Sequence, residues 1–349
     1  MLPKVDLHCH LDGSLSETVV MRLARNAGVL LPDTAKALTK KLTAPADCKS
    51  LLLYLECFDL PVTCLQNEEN LFEAAKSVIM EAAGEDVIYM EIRFAPLLHT
   101  AKGLNVKSVL RAVTGGVREG LRVVKSSGKV MEAGVIVCGM RHMSVDDNAA
   151  MLREAYGFYG DGLCGIDIAG GEADYPPMCQ KAFFELAKDM GIPITIHAGE
   201  CGSVQNVIDA VCLGAKRIGH GIALMKDKEA RVRIKAQGTV LELCPTSNLQ
   251  TKAVESWEDY PFRMFMDEGL KITVNTDNRM VSKTTMTNEY RQLQIHCSMT
   301  GEDEKRILKN SIDAAFASDH VKKYLLQHVE NLKKTENSDG QRAHQHKIK

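Results

Sequence analysis

Two histidines separated by one residue, His8 and His10, stand near the start of the chain. On a strand, side chains at i and i+2 leave the same face, so the two imidazoles can grip one ion while Cys9 points the other way. A third imidazole, His197 in ITIHAGE, and a carboxylate, Asp277 in ITVNTD, each follow a β-branched run. Three imidazoles and one carboxylate suit zinc or a similar divalent ion with one position left for water. A bound ion of that kind lowers the pKa of water from ~15.7 to about 7, which predicts metal-assisted hydrolysis without a serine or cysteine nucleophile. Two more groups fit as proton handlers. His220, in RIGHGI, is placed to orient or deprotonate the water, and Glu200, three residues beyond His197, is placed to protonate a substrate atom. A carboxyl that donates a proton near neutrality needs burial, so an occluded pocket is expected. The H-x-H spacing alone carries little weight, because it recurs at His344 and His346 in a polar tail.

These residues need a scaffold that brings them together, and the hydrophobic pattern supplies one. Short β-rich runs lie at Val5–His10, Val87–Phe94, Glu132–Val137, Gly165–Ala169, Pro193–His197, Arg217–His220, Thr239–Leu243 and Lys271–Asn275. Each is apolar or nearly so, as strands buried on both faces should be. Segments at helical spacing separate them, including Asp147–Tyr159, Pro177–Met190, Val204–Leu213 and Asp227–Gln237, and many stop at a glycine. Eight βα units predict an α/β protein of the closed (β/α)8, TIM-barrel type, in which the C-terminal strand ends share one mouth. Polar residues fall near those ends: His8 and His10, Glu91 with Arg93, Asp167, His197, His220, Glu242, and Asp277 with Asn278. About 75 residues between the first two strands exceed a single crossover helix and predict an elaborated lid. With no repeat and no Pro- or Ser-rich linker, the expectation is one domain over 1–335 and a polar, frayed tail over 336–349.

Composition narrows the classes further. Of 349 residues, 45% are hydrophobic and 25% charged, the balance of a soluble globular protein. Lys+Arg 43 against Asp+Glu 45 leaves a net charge of -2, so no global field draws the chain to nucleic acid or anionic lipid. The 11 cysteines are scattered without a C-x-x-C pair and read as reduced thiols. No apolar leader precedes the first histidines, and the run Leu51 to Leu65 is interrupted by Glu56, Asp59 and Pro61. A cytoplasmic protein with neither a nucleic-acid nor a membrane partner is expected.

The segments PKVDLHCHLDGSL, YMEIRFAP, GIDIAGGE, ITIHAGE, RIGHG, LELCPTSN and ITVNTDNR resemble, in this order, the successive motifs of the adenosine deaminases. The likeness spans nearly the whole chain except the tail. It implies a (β/α)8 barrel of the metal-dependent hydrolase type and hydrolytic deamination of adenosine, with 2′-deoxyadenosine as a second substrate. It also implies one Zn2+ held by His8, His10, His197 and Asp277, with Glu200 as the acid that protonates the purine ring and His220 as the water-orienting base. The resemblance places Asp12 on the ribose 5′-hydroxyl, the Gly170 backbone amide on a pyrimidine-ring nitrogen, and His10 in the substrate pocket beside its metal role. Leu51, Tyr54, Leu55 and Phe58 correspond to the apolar lid helix, and their i, i+3, i+4, i+7 spacing independently forms one helical stripe. One position departs from the animal members: Asn278 stands where they have a second Asp, a pattern associated with bacterial members. An Asn amide donates directly to the acceptor nitrogen of the imidazole ring, whereas an Asp must be protonated to do so. A sister deaminase acting on free adenine, a nucleotide or another aminopurine is the alternative. Those acting on adenine typically carry Glu at the position of Asp12, and a nucleotide asks for a cationic cluster where only Arg93 and Arg279 are available. A catalytically silent binding protein would lack a ligand or the acid, and none is missing.

Overall fold

The computed structural model describes residues 2–45, 48 and 50–346, with the side chains of Leu52 and of 333–346 left aside. Among the described residues, eight strands run in parallel: β1 (Lys4–His10), β2 (Val87–Phe94), β3 (Glu132–Met140), β4 (Leu163–Ala169), β5 (Thr195–Ala198), β6 (Arg217–His220), β7 (Val240–Leu243) and β8 (Lys271–Val274). They pair in sequence order within two four-stranded halves. Bridges between Ile166 and Ile194 and between Cys9 and Asp277 join the halves and close the expected α/β barrel.

The strands are buried on both faces, yet they are not apolar throughout as the sequence reading expects. Their outward side chains, such as Val5, Leu7, Ile92, Ile166, Ile196 and Leu241, pack in apolar clusters beneath the helices. The alternate side chains fill the barrel with buried polar groups, among them Asp6, His8, Glu91, Arg93, Asp167, Thr195, Arg217 and Glu242. Such an interior is stable only when each charge meets an opposite charge or a hydrogen bond.

Among the described residues, five helices lie between β1 and β2: α1 (Glu17–Ala27), α2 (Ala35–Leu42), α3 (Leu51–Leu55), α4 (Asp59–Cys64) and α5 (Glu68–Ala83). Thereafter α6 (Val106–Ser126), α7 (Val145–Ala155), α8 (Lys181–Asp189), α9 (Val204–Cys212) and α10 (Lys228–Gln237) follow β2 to β6 in turn. The pair α11 (Pro245–Gln250) and α12 (Phe262–Asp267) follows β7, and α13 (Met286–Cys297), α14 (Gly301–Ala314) and α15 (Asp319–His346) follow β8. Buried Leu308 and Ile312 of α14 and Leu325 and Val329 of α15 cover Val5 and Leu7 of β1. The backbone of α15 stays helical through His346, where a frayed tail is expected; its Lys, Glu, Gln and Ala residues are good helix formers and no proline interrupts them. Among the described residues no helix is long and apolar enough to cross a membrane.

Candidate active site

Strand alternation and barrel closure converge on one point. His8 and His10 leave β1 on its inner face, His197 leaves β5, and Asp277 lies beyond β8. Each offers a ligand atom, and the four atoms all lie within 4.8 Å of one another. His10 Nε2 stands 3.2 Å from His197 Nε2, and Asp277 Oδ1 stands 3.4 Å from Nε2 of both His8 and His10. Two observations fit this cage to a divalent cation. His8 Nε2 is buried without a hydrogen-bond partner, and the facing ring nitrogens present lone pairs to a common centre once neutral. Burial, with His197 and His8 alongside, holds His10 well below its ordinary pKa despite Asp277, which keeps its ring neutral. Burial alone would raise the Asp277 carboxyl, but His8, His10 and His220 outweigh it and keep the group ionised. Neutral imidazoles with an ionised carboxylate are the protonation states that bind metal. Cys244 also approaches His220 and Asp277, but burial drives its thiol far above the ordinary range and leaves it a poor ligand.

The space for the rings is built into β6. A Cβ on Gly219 would stand 3.0 Å from His8 Cε1 and 3.1 Å from His197 Cα, so any other residue would press on two ligands. His220 and Asp277 both have positive φ, 63° and 59°, a conformation costly for residues with a Cβ and concentrated at functional sites.

Beneath the cage lies a charged lattice that fixes the ligands. His8 Nδ1 meets Glu242 Oε2 at 2.9 Å, and His197 Nδ1 stands 2.7 Å from Asp167 Oδ2. Arg93 bridges the two carboxylates, at 2.6 Å from Asp167 and 2.9 Å from Glu242. Arg217 pairs with Glu242 at 2.5 Å and also with Glu91. With Nδ1–H of His8 donating to Glu242 and Nδ1–H of His197 directed at Asp167, Nε2 of each ring is left free as the ligand, the usual way a metal-binding histidine is oriented. Glu91 was expected at the mouth but lies in this lower layer, where it accepts from Tyr89 Oη and the Phe316 amide. Breaking one member of such a buried set costs about 3–5 kcal/mol, because the partner is stranded.

Above the cage is a cavity of about 610 Å3, lined by His10, Asp12, Leu51, Tyr54, Leu55, Phe58, Gly170, His197, Glu200, His220, Asp277 and Asn278, with others. The residues expected to ligate metal, move protons, bind substrate or form the lid all reach this one space except His8, which is wholly buried, whereas Glu91, Arg93, Asp167 and Glu242, also expected at the mouth, do not line it. A cavity of about 1050 Å3 touching Lys188, Lys216 and Lys271 contains none of them. His220 Nε2 stands 3.7 Å from Glu200 Oε2, and His220 Nδ1 bonds Asn248 Nδ2 at 2.9 Å. Asp277 Oδ2 accepts from Ser247 Oγ at 2.6 Å, leaving Oδ1 for the cage. At the far wall burial pushes the Asp12 carboxyl up to about 6, its neighbouring backbone amides offsetting part of the rise. Asn278 Oδ1 is buried and unpartnered. A Cβ on Gly13 would fall 1.9 Å from that oxygen, so glycine there makes the seat of Asn278.

The lid stripe is not one helix. Leu51 to Leu55 is α-helical, Glu56–Phe58 tightens to 3-10, and α4 follows. Pro61 has no N–H for the Cys57 carbonyl, which ends the α pattern there. The four apolar residues still face the cavity, and Tyr54 Oη bonds Ser282 Oγ at 2.7 Å. Sequence reasoning missed Ser247 and Asn248, although both stand in LELCPTSN, and Glu172, two residues after Gly170.

A parallel (β/α)8 barrel with a three-histidine, one-aspartate cage at its C-terminal mouth has the layout of the metal-dependent hydrolases. A sequence profile of the adenosine deaminase family matches residues 3–332. An adenosine deaminase of Enterococcus faecalis is 41% identical over 329 residues, covering 94% of this chain and 96% of that protein. Among solved structures, an adenine deaminase from Arthrobacter aurescens is similar with a TM-score of 0.86 and 26% identity, over 96% of this chain and all of that one. A zinc-bound amidohydrolase from Burkholderia ambifaria is similar with a TM-score of 0.84 and 25% identity, over 96% and 92%. The chain belongs to the adenosine deaminase family, a family of metal-dependent hydrolases.

Proposed function

We propose that the chain hydrolyses adenosine and 2′-deoxyadenosine to the 6-oxo nucleosides and ammonia, with one zinc ion held by His8, His10, His197 and Asp277. One observation carries this reading: a single cavity joins the four-donor cage and Glu200 to the buried carboxyl of Asp12, and its described lining contains no Lys or Arg. When bound, the cation supplies a water acidified to near neutrality. The zinc-bound relative supports zinc among the divalent ions.

The side chains divide the remaining work. Glu200 gives its proton to the ring nitrogen beside the amino-bearing carbon, which weakens aromaticity there and opens that carbon to attack. His220, held by Asn248 through Nδ1, orients the attacking water with its opposite nitrogen. The Gly170 amide and the Asn278 side chain bind the ring nitrogens, and Asp12 accepts from the 5′-hydroxyl. The apolar wall from Leu51, Leu55 and Phe58 excludes bulk water.

The same lining separates the alternatives. Free adenine would leave Asp12 unused. AMP would bring a phosphate among Asp12, Asp59 and Asp174 with no cation to meet it, whereas the nearby guanidiniums are committed, Arg93 to Asp167 and Glu242 and Arg279 to Glu85. Ultraviolet absorbance with adenosine, 2′-deoxyadenosine, adenine and AMP, before and after chelation, tests the proposal. We expect turnover of both nucleosides, loss on chelation, and kcat/KM for AMP lower by about 100-fold or more, from a buried unpaired charge of several kcal/mol. Preference for adenine or AMP would overturn it.

A further inference from the structure

Glu172 stands in none of the roles above, yet it is 2% exposed and its carboxylate accepts four hydrogen bonds. Its Oε1 accepts from the Gly199 amide at 2.6 Å and from Asn206 Nδ2 at 2.9 Å. Its Oε2 accepts from the amides of Glu200, at 2.9 Å, and Cys201, at 3.0 Å. The lone-pair sites of an ionised carboxylate are thus all taken. Three successive backbone N–H groups after β5 converge on it, an anion-binding concavity filled by the protein's own carboxylate. Burial opposes ionisation, but Arg141, the Cys201 amide, Asn206 and the Gly199 amide outweigh it and hold the carboxyl below its ordinary pKa. Arg141 ties the loop following β4 to β5 itself, donating to the carbonyls of Tyr175 and His197.

The sequence position of Glu172 gives these bonds a purpose. It lies two residues after Gly170, in the loop following β4, and grips the loop following β5 at Glu200 itself. Both loops line the cavity. We propose that Glu172 is a positioning residue: its carboxylate sets the distance between the Gly170 amide and the Glu200 carboxyl, so that both meet one six-membered ring. The inference rests on the proton-donor role given to Glu200 under the proposed function. A shift of about 1 Å in a reacting group is worth about 100-fold in rate.

Glu172→Gln tests it, since the amide keeps the shape but turns one acceptor into a donor facing backbone N–H groups. With adenosine we expect kcat lower by about 10–100-fold, KM within about threefold, and bound metal per folded chain unchanged. In a Glu200→Gln background the same change should cost less than about twofold more, because the acid it positions is already gone. Asn206→Ala, which removes one donor and keeps the carboxylate, serves if Glu172→Gln does not fold; its kcat should fall about threefold, again only while Glu200 is present. A folded Glu172→Gln enzyme with wild-type kcat, or losses that multiply with Glu200→Gln, would overturn the inference, as would an Asn206→Ala enzyme with unchanged kcat if that variant has to decide. If the wild-type protein does not deaminate adenosine, the functional reading fails instead, which separates the two results.

Discussion

Asp167→Asn is the perturbation whose consequence the lattice beneath the cage defines most sharply. Asp167 Oδ1 accepts from the amides of Ile168, at 2.6 Å, and His197, at 3.1 Å, so in the variant the carbonyl oxygen is held on that side. The new NH2 then faces His197 Nδ1 in place of Oδ2, which stands 2.7 Å away, and faces Arg93 Nη1 in place of its 2.6 Å acceptor. A donor at Nδ1 favours the tautomer with the proton on Nε2, the atom that must ligate. Loss of an outer-shell partner of this kind costs about 10–100-fold in metal affinity, or about 1.4–2.7 kcal/mol. Arg93 keeps Glu242 and the Leu7 carbonyl, so the stability cost without metal is that of one stranded charged donor, about 1–3 kcal/mol. Competition with a chromophoric chelator measures the affinity, and thermal unfolding with and without added zinc measures the linked stability. Wild-type affinity in a folded Asp167→Asn protein would refute the argument that this carboxylate fixes the ligand tautomer.

Other substitutions probe the cavity wall and the buried carboxyls. Asn278→Asp introduces a carboxyl into the cavity that Asp12 also lines, where burial pushes the Asp12 pKa up to about 6. If the new acid titrates similarly, its donating form is lost about tenfold per pH unit above that point, so kcat/KM relative to wild type should fall by that slope between pH 7 and 9; a pH-independent ratio would sink the contact with the imidazole ring. Glu289, on α13, is wholly buried, and burial pushes its carboxyl up to about 7 despite bonds from Thr246 and Thr284. Its folded pKa lies above the unfolded value, so the folded state binds the extra proton and stability falls as pH rises from about 4.5 to about 7. Glu289→Gln, with its NH2 turned to Thr284 Oγ1, should remove that slope and stabilise the protein at pH 8 by up to about 3 kcal/mol in denaturant titrations; an equal pH dependence in both proteins would contradict this. Gly13→Ala should displace Asn278, raising KM for adenosine about tenfold or more while bound metal stays constant; an unchanged KM would show the seat is not needed.

Much of the scaffold was legible because parallel strands and their helices leave periodic traces. The runs Val87–Phe94 and Arg217–His220 coincide with β2 and β6, and the predicted helix over Val204–Leu213 differs from α9 by one residue. The eight-strand barrel and the meeting of His8, His10, His197 and Asp277 followed from strand ends sharing a mouth. Less legible were features set by tertiary partners. The reading Pro177–Met190 merged a 3-10 turn, Pro177–Gln180, with α8, since side-chain periodicity hardly distinguishes i+3 from i+4 over so short a span. The charged interior was noticed as odd polar residues, but their pairing, Arg93 between Asp167 and Glu242 above Arg217 and Glu91, depends on which strands become neighbours across the barrel. Glu172 was invisible for the same reason: its partners Gly199, Glu200, Cys201 and Asn206 lie more than 25 residues away, and a single glutamate in a loop reads as solvated.

Under the proposed function, three imidazoles and one carboxylate hold a single zinc ion in front of the nucleoside. Diffraction data collected on either side of the zinc absorption edge, from crystals of protein that turns over adenosine, test it directly. We expect one strong anomalous peak at about 2.0–2.2 Å from Nε2 of His8, His10 and His197 and from Asp277 Oδ1. No peak at that point in an active, chelator-treated crystal would contradict it.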